Sequence, residues 1–215
     1  MGRKVNPLGF RLALSKDWHS RWFAQSKKEY RDQLLEDIKL RKFLMEKLQN
    51  AGVVRVQIDR LINKMKIGLH VSRPGVVIGR GGSGLELLKK ELVEKVSIPE
   101  AGKNLEIDVI EARESELSAL LINLRVKDQL EKRMPHRRVV IKTMERAKAA
   151  GAKGIRIVLS GRVAGAEIGR TEKYQLGAVP LQTLRADIDF SKIPAFTKSG
   201  FVGIKIWLYK GEKEE

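Results

Sequence analysis

Residues 73–92 read RPGVVIGRGGSGLELLKKEL, and Gly79, Gly81, Gly82 and Gly84 fall within six positions of one another. Glycine loses more backbone freedom on folding than any other residue, so four so close together cost entropy that an ordinary turn does not demand. Such a loop lets backbone N–H groups approach an anion closely. Two readings compete. Gly79, Gly81 and Gly84 satisfy G-x-G-x-x-G, which cradles a dinucleotide pyrophosphate when a buried parallel strand feeds straight into the loop. Ile78-Gly79 and Gly82 satisfy I-G-x-x-G, a clamp for a nucleic acid backbone. The flanks separate them. An acid downstream is available in Glu106 or Asp108, but Pro74-Gly75 leaves room for one helical turn and little for a strand. No repeated strand–helix–strand units follow to build a doubly wound sheet.

The surrounding pattern fits the clamp, which is the loop of a KH-type domain. From about Lys27 to Gln49, Tyr30, Leu34, Ile38, Met45 and Leu48 recur at helical spacing and predict a helix buried along that stripe. VVRVQIDR and MKIGLHV alternate apolar and polar residues and predict two strands about a turn near Asn63. A short helix follows at Pro74, with Ile78 and Leu85 expected to pack the two small helices onto the sheet. Leu85, Leu88, Leu92 and Val96 mark the helix after the glycines. Pro99 and Gly102 break the chain, and LEIDVI reads as a third strand. In the loop, Gly79, Gly81 and Gly82 bring the backbone near RNA and Arg80 supplies a phosphate partner.

The second half has a different order. ESELSALLINLRVKDQLEKR is helical. Pro135 interrupts it, and a second helix runs to Gly151 with Val140, Met144 and Ala147 inward. Four strands are expected in GIRIVLSGRV, AEIGRTEKY, TLRADIDF and FVGIKIWLY, with a turn across SKIPAFTKSG. Two helices followed by four strands indicate an α+β fold with an antiparallel sheet. The expected organisation is an arm over 1–15, a first domain over 16–113, a second over 114–211 and a short acidic tail over 212–215.

Charge points to the partner. Lys and Arg number 43 against 26 Asp and Glu, a net charge of +17, and such an excess calls for a polyanion. Between Arg125 and Arg156 there are eleven basic residues and three acidic ones. Arg138, Lys142 and Arg146 follow one another at i, i+4, where like charges destabilise a helix unless an anion sits there. With Arg133 and Arg137 they form a candidate RNA-binding helix. Arg3, Lys4 and Arg11 make the arm a third candidate RNA contact. Trp18, Trp22 and Phe23 offer either base stacking or a staple onto the first helix.

Other classes lack their signatures. There is no cysteine, so thiol nucleophiles and thiolate metal sites are excluded. The three histidines match no ligand spacing, neither G-x-S-x-G nor the P-loop occurs, and Asp187 and Asp189 read as a salt-bridged surface with Arg185. No catalytic residue, metal or cofactor is expected. No run of about 18 apolar residues suggests a membrane span.

The motifs VNPLGFRL, RPGVVIGRGG, MPHRR, GAKGIRIVLSGRVAGAEIGRTEKY, VPLQTLRADIDF and GIKIWLYKGE, in this order, resemble the bacterial-type family of small-subunit ribosomal protein three across nearly the whole chain. The resemblance implies a type II KH domain in the first half and a two-helix, four-stranded domain in the second. It implies a cytoplasmic, ribosomal structural protein in the small-subunit head, not an enzyme. Its implied partners are ribosomal RNA, messenger RNA at the channel it enters by, and small-subunit proteins ten and fourteen. The family's loop carries two basic residues between its glycines. Here Arg80 matches the first and Gly81 replaces the second. The family's basic pair falls on Arg137 and Arg138. Members that unwind messenger carry a third basic residue where Ile141 stands, with Lys142 one step on.

Overall fold

The computed structural model describes residues 4–61, 64–96, 105–112 and 115–212. Arg3, the turn near Asn63, the break at Pro99 and Gly102, and residues 213–215 of the tail lie outside them. The chain forms two compact units, Trp18–Ser115, and Met1–Asp17 together with Glu116–Glu215. The arm is therefore part of the second unit.

In the unit Trp18–Ser115, helix α2 (Lys27–Lys47) is followed by β2 (Val53–Leu61) and β3 (Lys64–Val71). Then come α3 (Pro74–Ile78), α4 (Ser83–Val96) and β4 (Leu105–Glu111). A short β1 (Ser20–Arg21) pairs parallel with β2, giving the sheet order β1-β2-β3-β4. β2 and β3 are antiparallel and β3 and β4 parallel, so α3 and α4 form a crossover between neighbouring strands. This is the type II KH arrangement.

Helix α2 turns a different stripe inward from the one expected. Leu40, Leu44 and Leu48 join the core with Ile58, Ile67, Leu69, Val77, Leu88 and Leu92. Tyr30, Leu34, Ile38 and Met45 remain exposed. Buried Asp37 explains the rotation. It accepts from Arg60 Nε at 3.0 Å and Nη2 at 2.6 Å, from Trp22 Nε1 at 2.9 Å and from Ser20 Oγ at 3.2 Å. Breaking such a buried pair costs about 3–5 kcal/mol, so helix rotation follows the carboxylate. Trp22 also lies 5.3 Å from the Tyr30 ring, the staple rather than a free stacking surface. At α3, Val77 is the buried anchor and Ile78 is exposed, because Ile78 already belongs to the loop entrance.

In the other unit, α5 (Ala119–Glu131) and α6 (His136–Ala149) cover one face of a fully antiparallel sheet. Its strands are β5 (Gly154–Gly161), β6 (Arg170–Gly177), β7 (Ala186–Thr197) and β8 (Gly200–Glu212), in the order β6-β5-β8-β7. The expected turn across SKIPAFTKSG is mostly strand. β7 continues to Thr197, and only Lys198 and Ser199 separate it from β8. Pro194 is tolerated because β7 is an edge strand and needs no donor on its outer side.

The arm folds as α1 (Pro7–Phe10), capped by the Asn6 side chain accepting from Leu8 N. Arg11, expected to reach RNA, is fully buried. Its guanidinium donates to the carbonyls of Pro7 (3.1 Å), Pro180 (3.3 Å), Leu181 (2.9 Å), Thr183 (2.8 Å) and Ala186 (2.8 Å). Nε and Nη1 serve Ala186 and Pro7, and the two N–H of Nη2 are shared among Pro180, Leu181 and Thr183 in the rigid fork. Lys16 adds an ion pair to Asp187 at 2.5 Å. Arg11 is thus a structural residue. Arg11→Lys should destabilise the second unit by about 2–3 kcal/mol, since an ammonium cannot reproduce the fork. Thermal melts of the full chain should show a lowered transition for that unit and an unchanged one for the KH unit. Equal melting of both units in variant and parent would contradict this role.

Candidate nucleic-acid interface

The glycine loop separates into two pairs with different physics. Gly79 has φ +71°, and a Cβ there would lie 2.9 Å from Gly84 N. A Cβ on Gly84 would meet Val77 O at 2.8 Å. These two residues allow α3 and α4 to touch backbone to backbone. Gly81 and Gly82 also have positive φ, 61° and 84°, but a Cβ on either meets nothing within 4 Å. They are the open tip a polynucleotide can approach. Ser83 Oγ donates to Arg80 O at 2.9 Å and closes the turn, and Arg80 and Gly81 are exposed. The importance of Gly84 was hidden in the sequence, because the clamp motif ends at Gly82.

The basic helix is built on an unusual start. Pro135 stands at the N-cap of α6 without a side-chain cap, and His136, Arg137 and Arg138 follow. Cations at a helix N-terminus oppose its dipole. Glu172 on β6 answers them. Its carboxylate lies 2.9 Å from His136 Nε2, accepts from Tyr174 Oη at 2.6 Å and from Arg170 Nε at 2.7 Å. Burial, then Glu172, raises the Tyr174 hydroxyl above its ordinary value and outweighs nearby Arg137, which favours the charged form. The Tyr174 hydroxyl, followed by the charges of His136 and Arg170, holds the Glu172 carboxyl below its usual range against the opposing effect of burial.

Beyond this start, Val139, Val140, Thr143, Met144 and Ala147 are buried and Arg138, Lys142 and Arg146 share the exposed face. None of these three enters an ion pair among the described residues. Arg125, counted in the same basic run, differs: its guanidinium grips Glu116 at 2.6 and 2.8 Å. Ile141 is 48% exposed and lies on the Arg137 flank, one turn along. Arg133 is exposed with φ 59°. It occupies the left-handed position that ends α5, where Met134 N bonds back to Gln129 O at 3.1 Å, the place usually given to glycine. It rims a cleft of about 360 Å³, with His136, Arg162 and Lys198 beside it and Leu130 and Val202 in its wall. Lys4 is exposed on the arm. Asp187 and Asp189 do not pair with Arg185: the first holds Lys16, and the second accepts from Ala119 N at the start of α5 at 2.8 Å.

A KH fold with an open glycine tip, joined to a sheet domain bearing an unpaired cationic helix, defines an RNA-binding protein. Comparison with known proteins gives the family. The model described as KH domain matches residues 39–143, and that described as Ribosomal protein S3, C-terminal domain, matches 126–208. Small ribosomal subunit protein uS3 of Caldicellulosiruptor saccharolyticus is 49% identical, over 99% of this chain and 93% of its own length. That of Desulforamulus reducens is 47% identical over the same shares. That of Clostridioides difficile is 48% identical, over 99% of this chain and 76% of its own. The chain belongs to the uS3 family of small ribosomal subunit proteins, a family of ribosomal RNA-binding proteins rather than enzymes.

Two outcomes follow. Gly81→Arg supplies the second basic residue that the resemblance leads one to expect in the loop. The salt dependence of RNA binding should steepen by about 0.7 in log–log slope, at about 1–2 kcal/mol of left-handed strain. Gly79→Ala, by contrast, should lower the melting point of the KH unit, because its Cβ strikes backbone. An unaltered slope for the first, or parental stability for the second, would count against this division of the loop.

The second outcome concerns acid. A carboxylate with a lowered folded pKa contributes stability that is full above its unfolded value, near 4.5, and is lost as pH falls through the folded one. The second unit should therefore lose stability below about pH 4.5, and Glu172→Gln should flatten that fall while lowering stability at neutral pH. Superimposable pH–stability curves would show that Glu172 does not anchor α6.

Proposed function

We propose that the chain sits in the head of the small ribosomal subunit of a cytoplasmic ribosome. There it holds ribosomal RNA through Gly79–Gly82 and through Lys4 of the arm, and lines the channel by which messenger RNA enters with α6. The observation that carries the channel assignment is the exposed row Arg138, Lys142 and Arg146. It includes Arg138 of the family's basic pair, and none of the three is in an ion pair among the described residues, although Arg146 also feels the charge of Glu116. Stacked like charges cost helix stability without an anion, and a polyphosphate supplies one along the whole face. Arg137 stands at the start of this row, near Tyr174, and Arg133 extends it past the helix. Small-subunit proteins ten and fourteen are the proposed protein neighbours. The exposed apolar strip of α2, with Leu35 50% and Ile38 54% accessible, is a surface of suitable chemistry for a protein contact.

Replacing Arg138, Lys142 and Arg146 with Ala should flatten the salt slope for single-stranded RNA by roughly 2, about 0.7 for each lost phosphate contact. Core positions Val140, Met144 and Ala147 are untouched, so melting should barely change. In small subunits rebuilt with the variant chain, translation through a messenger hairpin should slow. Ile141→Lys, which supplies the third basic residue of the unwinding members, should speed it. A triple variant with the parental slope and parental hairpin transit would return α6 to a solvated face.

A further inference from the structure

The helices cover one face of the second unit's sheet, and the other face is largely open. Its register places Lys173, Val158, Lys205 and Lys192 in one row across all four strands. Three interstrand steps span about 14 Å. On one side of this row lie Thr171, Ser160, Gly203 and Pro194, and then Phe201 opposite Phe196. On the other side lie Gln175, Arg156, Trp207 and Phe190. These rows hold four cations, four aromatic rings and no carboxylate. Phe196 and Phe201 are 65% and 67% exposed, with ring centroids 5.1 Å apart. Phe190 and Trp207 form a second pair at 5.1 Å. Trp207 also packs on Val179, Ala186, Ile188 and Tyr209, which cover the far end of the face.

Local stability argues against this arrangement. Lys192 stands directly opposite Lys205, and like charges in that position destabilise a sheet. Two exposed phenylalanines beside them add apolar surface without burial. The open face of the KH sheet shows the ordinary alternative: Lys66 meets Asp108 at 2.7 Å. Lys173, Lys192 and Lys205 have no ion-pair partner among the described residues.

We propose that this face is a second RNA-binding surface, separate from α6, that takes a single strand of no fixed sequence, the chemistry of messenger RNA. Cations in a row attract phosphates, and exposed aromatic rings accept the π-face of any base. The trough between them is floored by Gly203, which has no side chain to obstruct a sugar. Sequence readers are occupied. Gln175 accepts from Arg156 Nε at 2.9 Å and donates to Gly177 O at 3.0 Å, and Thr171 Oγ1 donates to Ser160 Oγ at 3.4 Å. A protein partner fits less well, since lysine is depleted at protein interfaces.

The test uses the full chain with short oligouridylate, oligoadenylate and an RNA duplex. Lys173, Lys192 and Lys205 changed together to Gln should flatten the single-strand salt slope by about 2. The same three changed to Arg should keep it, which a purely structural role would not predict. Phe196→Ala with Phe201→Ala should weaken both oligonucleotides by about tenfold or more with the slope unchanged, and leave duplex binding alone. The α6 triple variant is measured in parallel. Loss in the sheet variants with parental binding by the α6 variant supports this face and sinks the helix. The reverse sinks this face and keeps the helix. Parental RNA binding by the sheet variants, together with failure to join the small subunit, would make the face a protein contact and overturn the proposal. So would sheet-variant losses confined to one fixed ribosomal sequence.

Discussion

Arg11 closes the second unit. One guanidinium joins five backbone carbonyls, four of them about 170 residues away in the chain. Those four carbonyls belong to the segment running into β7, and without Arg11 the buried Ala186 carbonyl would lose this donor. This closure ties the arm to the body of the unit. It fixes the 179–186 segment, which lies over one end of the sheet and leaves the other end bare. It also makes the unit discontinuous in sequence, with the KH unit inserted between its arm and its body. Docking of the arm therefore uses contacts of very high sequence separation.

The second unit sets its charges against local stability and compensates at chosen points. α6 begins with cations at its positive end, and Glu172 offsets them through His136, Arg170 and Tyr174. α5 begins in the favourable sense, with Asp189 at its first N–H. The two helices thus differ in the sign of charge at their starts, although both cover the same sheet. The difference tracks function: α5 is mainly a packing element, and α6 carries a row of cations outward. Arg133 follows the same logic, since an arginine holds a left-handed position where glycine would be easier.

Much of this was readable from the residues, and the failures have physical causes. The glycine cluster pointed to the KH domain, which the family model matches, because positive φ and close approach leave so few alternatives. The strands were legible from alternation, and the order of elements gave the α+β class. The inward stripe of α2 was misread because two apolar strips lie side by side on that helix, and periodicity does not rank them. Buried Asp37 does, but only once Arg60 and Trp22 are brought to it from elsewhere in the chain. Pro194 looked like a turn because a strand proline is admissible only at a sheet edge, and edge position is a property of topology. Arg11 looked like an RNA contact because nothing in a short basic arm reveals carbonyls that converge from residues 180–186.

That last error shows how the net charge of +17 should be apportioned. Arg11, Arg41, Arg60 and Arg125 are all engaged by fixed protein acceptors. Arg41 donates to Val56 O at 2.6 Å and His19 O at 2.8 Å. Their planar forks suit rigid partners, and desolvation lowers the pKa of Arg11 and Arg41 without discharging them. Among the described residues, the cations without an ion pair include Arg80 at the loop tip, Arg138, Lys142 and Arg146 on α6, and the three lysines of the sheet row. The cations of the sheet row are all lysine, whose flexible stem with a point charge imposes no register. A count of basic residues therefore overstates the RNA footprint. The informative quantity is the set of cations that the fold leaves without a carbonyl or a carboxylate and also brings together on one face, as on α6 and on the sheet row.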